Sequence, residues 1–298
     1  MGPTNRVNTN SVKRSRYVPP PEVGIRLSTL PPGLYVVATP IGNLGDFSPR
    51  AREVLNQAAL IAAEDTRTSG KLVRLAEGTG RMLSLTEHNV MQRAPEVVAI
   101  AREQVVALVS DAGTPVVADP GARLVDAALD AAVNVVAIPG PSALAAAVSV
   151  SGFGGDDLHF LGFLPRPKSE RRKLLERAAQ GTTTIVFFES PNRLAETLCE
   201  LAELLSDPRV AVCRELTKVH EEVVRDHASV LANLFRDTRG ECTVVVEVPH
   251  RPANNEQELM VYLGEMKRAQ ARRSPAAAEA ARRYGVPRER AYGLWDEV

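Results

Sequence analysis

Four short runs in the first half of the chain carry no charge: GLYVVAT (33–39), ALIAA (59–63), VVALV (105–109) and VNVVAI (133–138). A strand that is apolar on nearly every residue has no side to turn to water. Such runs must be interior strands of a sheet covered on both faces. The segments between them carry helix signals. SPRAREVLNQ (48–57) opens with Ser before Pro, and PGARLVDAALDAA (120–132) repeats Leu124, Val125, Ala128 and Leu129 at helical spacing. This alternation predicts a mainly parallel sheet with helices on both sides.

The pattern pauses at SGFGGDD (151–157) and then resumes. LHFLGFLP, TTTIVFFES, RVAVCREL and CTVVVEVP read as strands. KSERRKLLERAA, PNRLAETLCELAELL and HASVLANLF read as helices. After Arg251 the chain is helical to its end, with a break at YGVP, as in a small helix-turn-helix. Residues 1–32 carry Arg6, Lys13, Arg14, Arg16 and two proline clusters, with little to bury. The expected organisation is a disordered tail (1–32), an N-terminal αβα domain (33–152), a C-terminal αβα domain (153–250) and a helical appendage (251–298).

Lys plus Arg and Asp plus Glu number 36 each, so the formal charge is zero and no global basic field draws the chain to nucleic acid. No apolar run approaches the roughly 18 residues of a membrane span. The first residues lack the apolar core of a secretory signal, and Arg6 stands where myristoylation needs Ser or Thr. A cytoplasmic protein without membrane partners is expected. Cys199, Cys213 and Cys242 form no CxxC and have no His at ligand spacing, so they read as buried reduced thiols and no metal is inferred.

In open α/β sheets, ligands bind beyond the carboxyl ends of the strands. The segments there are PIGNLGD (40–46), EDTR (64–67), TEHN (86–89), SDAGTPVVADPG (110–121), PGPSA (139–143), FFESPNR (187–193) and RELTKVHEE (214–222). They are dense in Gly, Pro, acids and Arg. No GxGxxG opens a helix after a strand, and SGKL (69–72) lacks the upstream glycine and the Ser or Thr of a phosphate loop. Glycine and proline hold backbone N–H and C=O groups close to a ligand. PGPSA starts a helix, whose amino end suits an anionic group. A ligand with adenine, ribose and amino-acid ends fits this mixture, but the spacing alone does not single it out.

TPIGNLGD, SDAGTPVVADPG, PGPSA, GFLPR, ESPNRL and RELTKVHEE, in this order, resemble the 16S rRNA cytidine 2′-O-methyltransferase family, within the tetrapyrrole-methylase-like S-adenosylmethionine enzymes. The resemblance covers about Gly33 to Pro249. It implies two αβα domains with the cofactor cleft between them, a homodimer, and 16S rRNA or the small ribosomal subunit as substrate. It places Leu44, Asp46, Ala112, Gly113, Thr114, Val117, Ser142 and Ala143 along S-adenosyl-L-methionine, with Phe188, Leu216, Cys242 and Thr243 contributed by the second domain. Thr114 stands where tetrapyrrole relatives carry an acid, which argues against a tetrapyrrole substrate.

Ribose methylation needs hydroxyl, methyl carbon and sulfur in line, and a base near the hydroxyl. The candidates are Glu189 at a strand end, Lys218 as a cation beside the hydroxyl or a phosphate, and His88 in TEHN. Arg67, Arg166, Arg171, Arg172 and Arg193 are candidate RNA contacts. RPKSERRKLLER (166–177) holds six basic residues against two acids. Aromatics are 4% of the chain, so a folded RNA or assembled particle is the expected substrate rather than a loose strand. Two alternatives stay open: a methylase of the same fold acting on a small molecule or protein, and a non-catalytic RNA-binding assembly protein.

Overall fold

The computed structural model describes residues 29–154, 157–180, 182–249, 256–284 and 286–298. Of the tail expected over 1–32, residues 1–28 lie outside the described residues, as do Gly155 and Asp156 of the expected boundary. The chain forms two compact units. One runs through Ala146 and takes in Leu216–Val219; the other comprises Ala147–Glu215 and His220–Val298. The division falls earlier than position 152, and the LTKV segment returns to the first unit.

The first unit is a parallel sheet of β1 (Gly33–Val37), β2 (Leu60–Ala63), β3 (Arg81–Ser84), β4 (Val105–Val109) and β5 (Val135–Ile138), in the order β3-β2-β4-β1-β5. Its helices are α1 (Pro49–Gln57), α2 (Thr66–Leu75), α3 (Val90–Ala101), α4 (Ala122–Asp130) and the start of α5 (Ala143–Ser151). The Ser-Pro signal works as expected: Pro49 takes the first helical position and the Ser48 hydroxyl accepts the Ala51 N–H at 3.1 Å. Tyr35 and Val37 of β1 pack with Ala51, Val54 and Leu55 of α1 and with Leu72 and Val73 of α2. Leu34 faces the other way, in a core with Val97 of α3 and with Leu124 and Ala128 of α4.

The second unit holds β6 (Leu158–Phe163), β7 (Thr184–Glu189), β8 (Arg209–Arg214), β9 (Glu222–His227) and β10 (Cys242–Glu247), in the order β6-β7-β10-β8-β9. β6 and β7 are parallel and the remaining pairs antiparallel. α6 (Lys168–Ala178), α7 (Pro191–Leu204) and α8 (Ala228–Leu234) share one core with Ile185, Phe187, Val212 and Val244 of the sheet. α9 (Glu256–Arg268), α10 (Arg273–Tyr284) and α11 (Arg288–Leu294) have a core of their own around Leu263, Ala277, Ala280 and Trp295.

Two elements run against the local signals of the sequence. α3 runs through Pro95, a residue that normally ends a helix. β9 is an edge strand with Glu222, Arg225, Asp226 and His227 among its six residues, so it lacks the apolar run that marked the interior strands.

Arg171 is 1% exposed on α6. Its guanidinium meets Glu200 at 2.6 and 2.7 Å and Glu196 at 2.9 Å, and it donates to the Arg166 carbonyl at 3.3 Å. The hydrogen bonds to Glu200 hold it charged despite burial. This pair ties α6 to α7. Removing one partner strands a buried charge, so Arg171→Ala should lower the unfolding free energy by about 3–5 kcal/mol. Arg171→Met with Glu200→Leu should recover most of that loss; urea unfolding of both variants checks it.

Candidate functional site

β4, β1 and β5 are neighbours, and the segments after them lie at adjacent carboxyl ends. β1 leads to α1 on one face of the sheet and β4 to α4 on the other. Strand ends whose connections leave on opposite faces are where open α/β sheets bind ligands. Between the β1 and β4 loops, Thr39 and Gly113 exchange both backbone hydrogen bonds, at 2.8 and 3.0 Å. Gly113 has φ +81°, and a Cβ there would sit 3.3 Å from the Ile41 Cγ2. The Thr114 hydroxyl donates to the Pro141 carbonyl at 3.1 Å, latching the β4 loop to the β5 loop. An ionised aspartate could not make that bond, because it has no proton to donate. Val116 and Ala118 hold left-handed φ of 75° and 67°, strained positions for residues with side chains. Val117 between them is partly exposed, Ala112 is exposed, and Ser142 and Ala143 open α5.

The β1 loop is covered by the LTKV segment. The Asn43 N–H donates to the Thr217 hydroxyl at 3.0 Å. A Cβ on Gly42 would fall 2.4 Å from the Lys218 Cγ and 2.9 Å from the Thr217 Oγ1. Leu216 is therefore a buried part of the first unit, where the expectation had it in the second domain. Asn43 also caps a single 3-10 turn, Leu44–Asp46, by accepting the Gly45 N–H at 2.9 Å. Both Leu44 and Asp46 are exposed on that turn.

A carboxylate group at the ends of β2 and β4 is absent from the sequence-derived candidates. The Asp111 carboxylate accepts the Asp65 N–H at 3.1 Å, joining the two loops. Burial pushes Asp119 up from 3.8 to about 6; repulsion from Glu64 and Asp111 adds to this, and a Ser110 hydrogen bond opposes it. Glu64 is raised as well, by burial and then by Asp111 and Glu87. The signal was present in the ADPG of the β4 loop, but burial and neighbours on another strand cannot be read from one segment. Beside them Arg67 is exposed and paired with Asp65 at 3.0 Å. His88 is exposed beyond β3, just before Asn89, whose side chain accepts the Thr86 N–H at 2.8 Å.

In the second unit, the Glu189 carboxylate is buried and engaged on both oxygens. Oε1 accepts the Ser190 N–H at 2.7 Å and the Arg193 Nε at 2.8 Å; Oε2 accepts the Thr197 hydroxyl at 2.9 Å. Arg193 also donates to the Leu164 and Pro165 carbonyls, at 2.9 and 3.2 Å. These two residues form a clamp between β7, α7 and the segment after β6. Phe188, Thr243 and Cys213 make a row across three strands on the face away from α6–α8. Cys242 points to the opposite face and joins the helix-side core. Burial raises the Cys213 thiol to about 12 and the Cys242 thiol to about 11, which leaves both unreactive. Cys199, expected to be buried, is exposed on α7. Among the RNA candidates of this unit, Arg166 is exposed and Arg172 pairs with Glu203 at 2.8 Å. Arg171 is enclosed by Glu196 and Glu200, so its guanidinium is not presented to a phosphate.

The family model of tetrapyrrole (corrin/porphyrin) methylases matches residues 33–232. A relative from Synechocystis sp. named ribosomal RNA small subunit methyltransferase I is 41% identical over 268 residues, covering 88% of this chain and 96% of the relative. One of the same name from Thermotoga maritima is 44% identical over 216 residues, covering 72% and 97%. Among solved structures, a diphthine synthase matches with TM-score 0.58 at 15% identity, covering 72% of this chain and 89% of that one. A cobalt precorrin-4 methyltransferase matches with TM-score 0.54 at 19% identity, covering 72% and 94%. At these identities the structures speak for the fold. No helix among the described residues is long and apolar enough to cross a membrane.

Because Asp119 is raised in the fold, its contribution to stability is present below about pH 4 and is lost as the pH rises through about 6. Asp119→Asn should therefore stabilise the protein at pH 8 and leave it unchanged or weaker at pH 4. Urea midpoints at the two pH values check the sign.

Proposed function

The chain belongs to the tetrapyrrole methylase family and, within it, to the ribosomal RNA small subunit methyltransferase I family; from that premise we propose that it methylates the 2′-hydroxyl of a cytidine in 16S rRNA, using S-adenosyl-L-methionine. The observation that carries the reading is the latched glycine shelf: Thr39–Gly113 and Thr114–Pro141 join three loops at the switch point. The residues present fit the cofactor. Gly113 leaves open backbone where a Cβ would crowd Ile41, and Ser142 begins a helix whose amino end favours a carboxylate. When bound, S-adenosylmethionine supplies a methyl group on a positively charged sulfur.

The chain's own part is to bind, orient and take up a proton. Ala112–Thr114, Val117, Ser142 and Ala143 hold the cofactor, with Leu44 and Asp46 on the β1 turn beside Lys218 and Thr217. Asp119 is our candidate for the ribose proton: it sits with Glu64 and Asp111 at the ends of β2 and β4, where the Asp111 carboxylate accepts the Asp65 N–H, and a carboxyl raised to about 6 is ionised at neutral pH and still basic enough to accept a proton. Lys218 steadies a phosphate or the developing alkoxide. Arg67, Arg166 and Arg172 contribute positive charge to RNA contact. Glu189, committed on both oxygens, serves architecture. We place the protein in the cytoplasm as a homodimer acting on the assembled small subunit.

Methyl-labelled cofactor should transfer label to 16S rRNA within small ribosomal subunits, and nuclease mapping should recover it as a 2′-O-methylcytidine. Label in protein, in a small molecule, or nowhere counts against the reading. Gly113→Val should weaken cofactor binding at least about tenfold in calorimetry, since a β-branched residue is strained at positive φ. Asp119→Asn should lower kcat by about 100-fold or more with cofactor affinity retained, and wild-type kcat/KM should rise as the pH passes about 6.

A further inference from the structure

β6 pairs with β7 in a register that breaks near its end: Phe160 lies opposite Val186, yet Phe163 lies opposite Phe188. Three residues on β6 match two on β7. Unbroken pairing would put Phe163 opposite Glu189, on the face turned to α6–α8. Gly162, at φ +63°, takes up the extra residue and turns Phe163 to the other face. There the Phe188 ring is packed edge-on by Phe160 at 5.0 Å and by Phe163 at 5.4 Å. Phe163 remains 64% exposed. A lone exposed phenylalanine needs no explanation. This one is turned outward by a glycine bulge and held against the Phe188 ring, which Phe160 packs in turn.

The segment after Phe163 is rigid and basic. Arg193, anchored on Glu189, grips the Leu164 and Pro165 carbonyls from beneath. Pro165 and Pro167 stiffen the segment; Arg166 is exposed on it, and Lys168, which opens α6 just beyond, is exposed while its ammonium lies 3.8 Å from Glu200. The other exposed Phe, Tyr or Trp ring among the described residues, Tyr292, carries the Arg273 guanidinium over its face at 3.9 Å. An exposed ring held in place, with cations a few residues away, suits a base and its flanking phosphates.

We propose that Phe163 is a stacking surface for an unpaired RNA base, with Arg166 and Lys168 taking the adjoining phosphates. This rests on the proposed rRNA substrate. Base stacking on an aromatic side chain is worth about 5- to 150-fold in binding. Phe163→Ala should weaken binding to small ribosomal subunits, measured without cofactor, by a factor in that range and raise KM similarly. Phe163→Trp should retain both. Cofactor affinity and oligomeric state should be unchanged in either variant.

Unchanged subunit binding in Phe163→Ala overturns the proposal. So does loss of cofactor binding, which would assign the ring to the cofactor, or dissociation of the oligomer, which would assign it to a second copy of the chain. The binding arm needs no methyl transfer, so a wild-type protein that binds subunits without methylating them tells against the functional reading and not against the stacking surface.

Discussion

The two backbone hydrogen bonds between Thr39 and Gly113 organise the first unit's functional end. They form because Gly113 takes a positive φ that would strain residues with a Cβ. With that turn in place, the β4 loop doubles back over β1, and Thr114 comes within reach of the Pro141 carbonyl. Three loops from three adjacent strands become one surface. The loop then passes through two further left-handed positions, Val116 and Ala118, before Gly121 releases it into α4. Strain at ordinary residues persists only where the surroundings over-determine it, and the pairing on β1 and the latch on β5 supply that.

The charged residues divide by what surrounds them. Arg171, Glu189 and Arg193 look in sequence like an RNA-facing or catalytic set. In the fold each is satisfied by a partner on a neighbouring element. These pairings join α6 to α7 and the end of β7 to α7 and the segment after β6. Glu64, Asp111 and Asp119 are the reverse: like charges gathered at two strand ends, of which Glu64 and Asp119 are pushed toward neutrality. Asp119, raised to about 6, titrates in the range where proton transfer is useful.

The LTKV segment shows the same dependence on long-range placement. It comes after β8 of the second unit, yet lies on the loop after β1 and fills the space that Gly42 leaves. Two motifs some 170 residues apart are therefore one local structure, with the Asn43 N–H on the Thr217 hydroxyl. Glycine at position 42 reads in sequence as turn chemistry; its actual reason is the close approach of Lys218.

Much of the architecture was legible in the chain. Runs such as VVALV have no polar side, so they could only be buried strands, and Ser48-Pro49 carries its helix start locally. The loops that carry the shelf were legible for the same reason, since glycine and proline act on their own backbone. The edge strand β9 and the helix through Pro95 were hidden because neighbouring elements stabilise them against their local preferences. The outward turn of Phe163 needed the register of β6 on β7. The raised Asp119 needed Glu64 from another strand. The sequence by itself determined which segments are interior strands, where glycine and proline bend the backbone and which family the motifs resemble, because those depend on side-chain periodicity and local dihedral freedom. The tertiary structure alone decided which charges are spent on architecture and which stand close enough to shift one another, because burial and electrostatic coupling depend on distances between residues far apart in the chain.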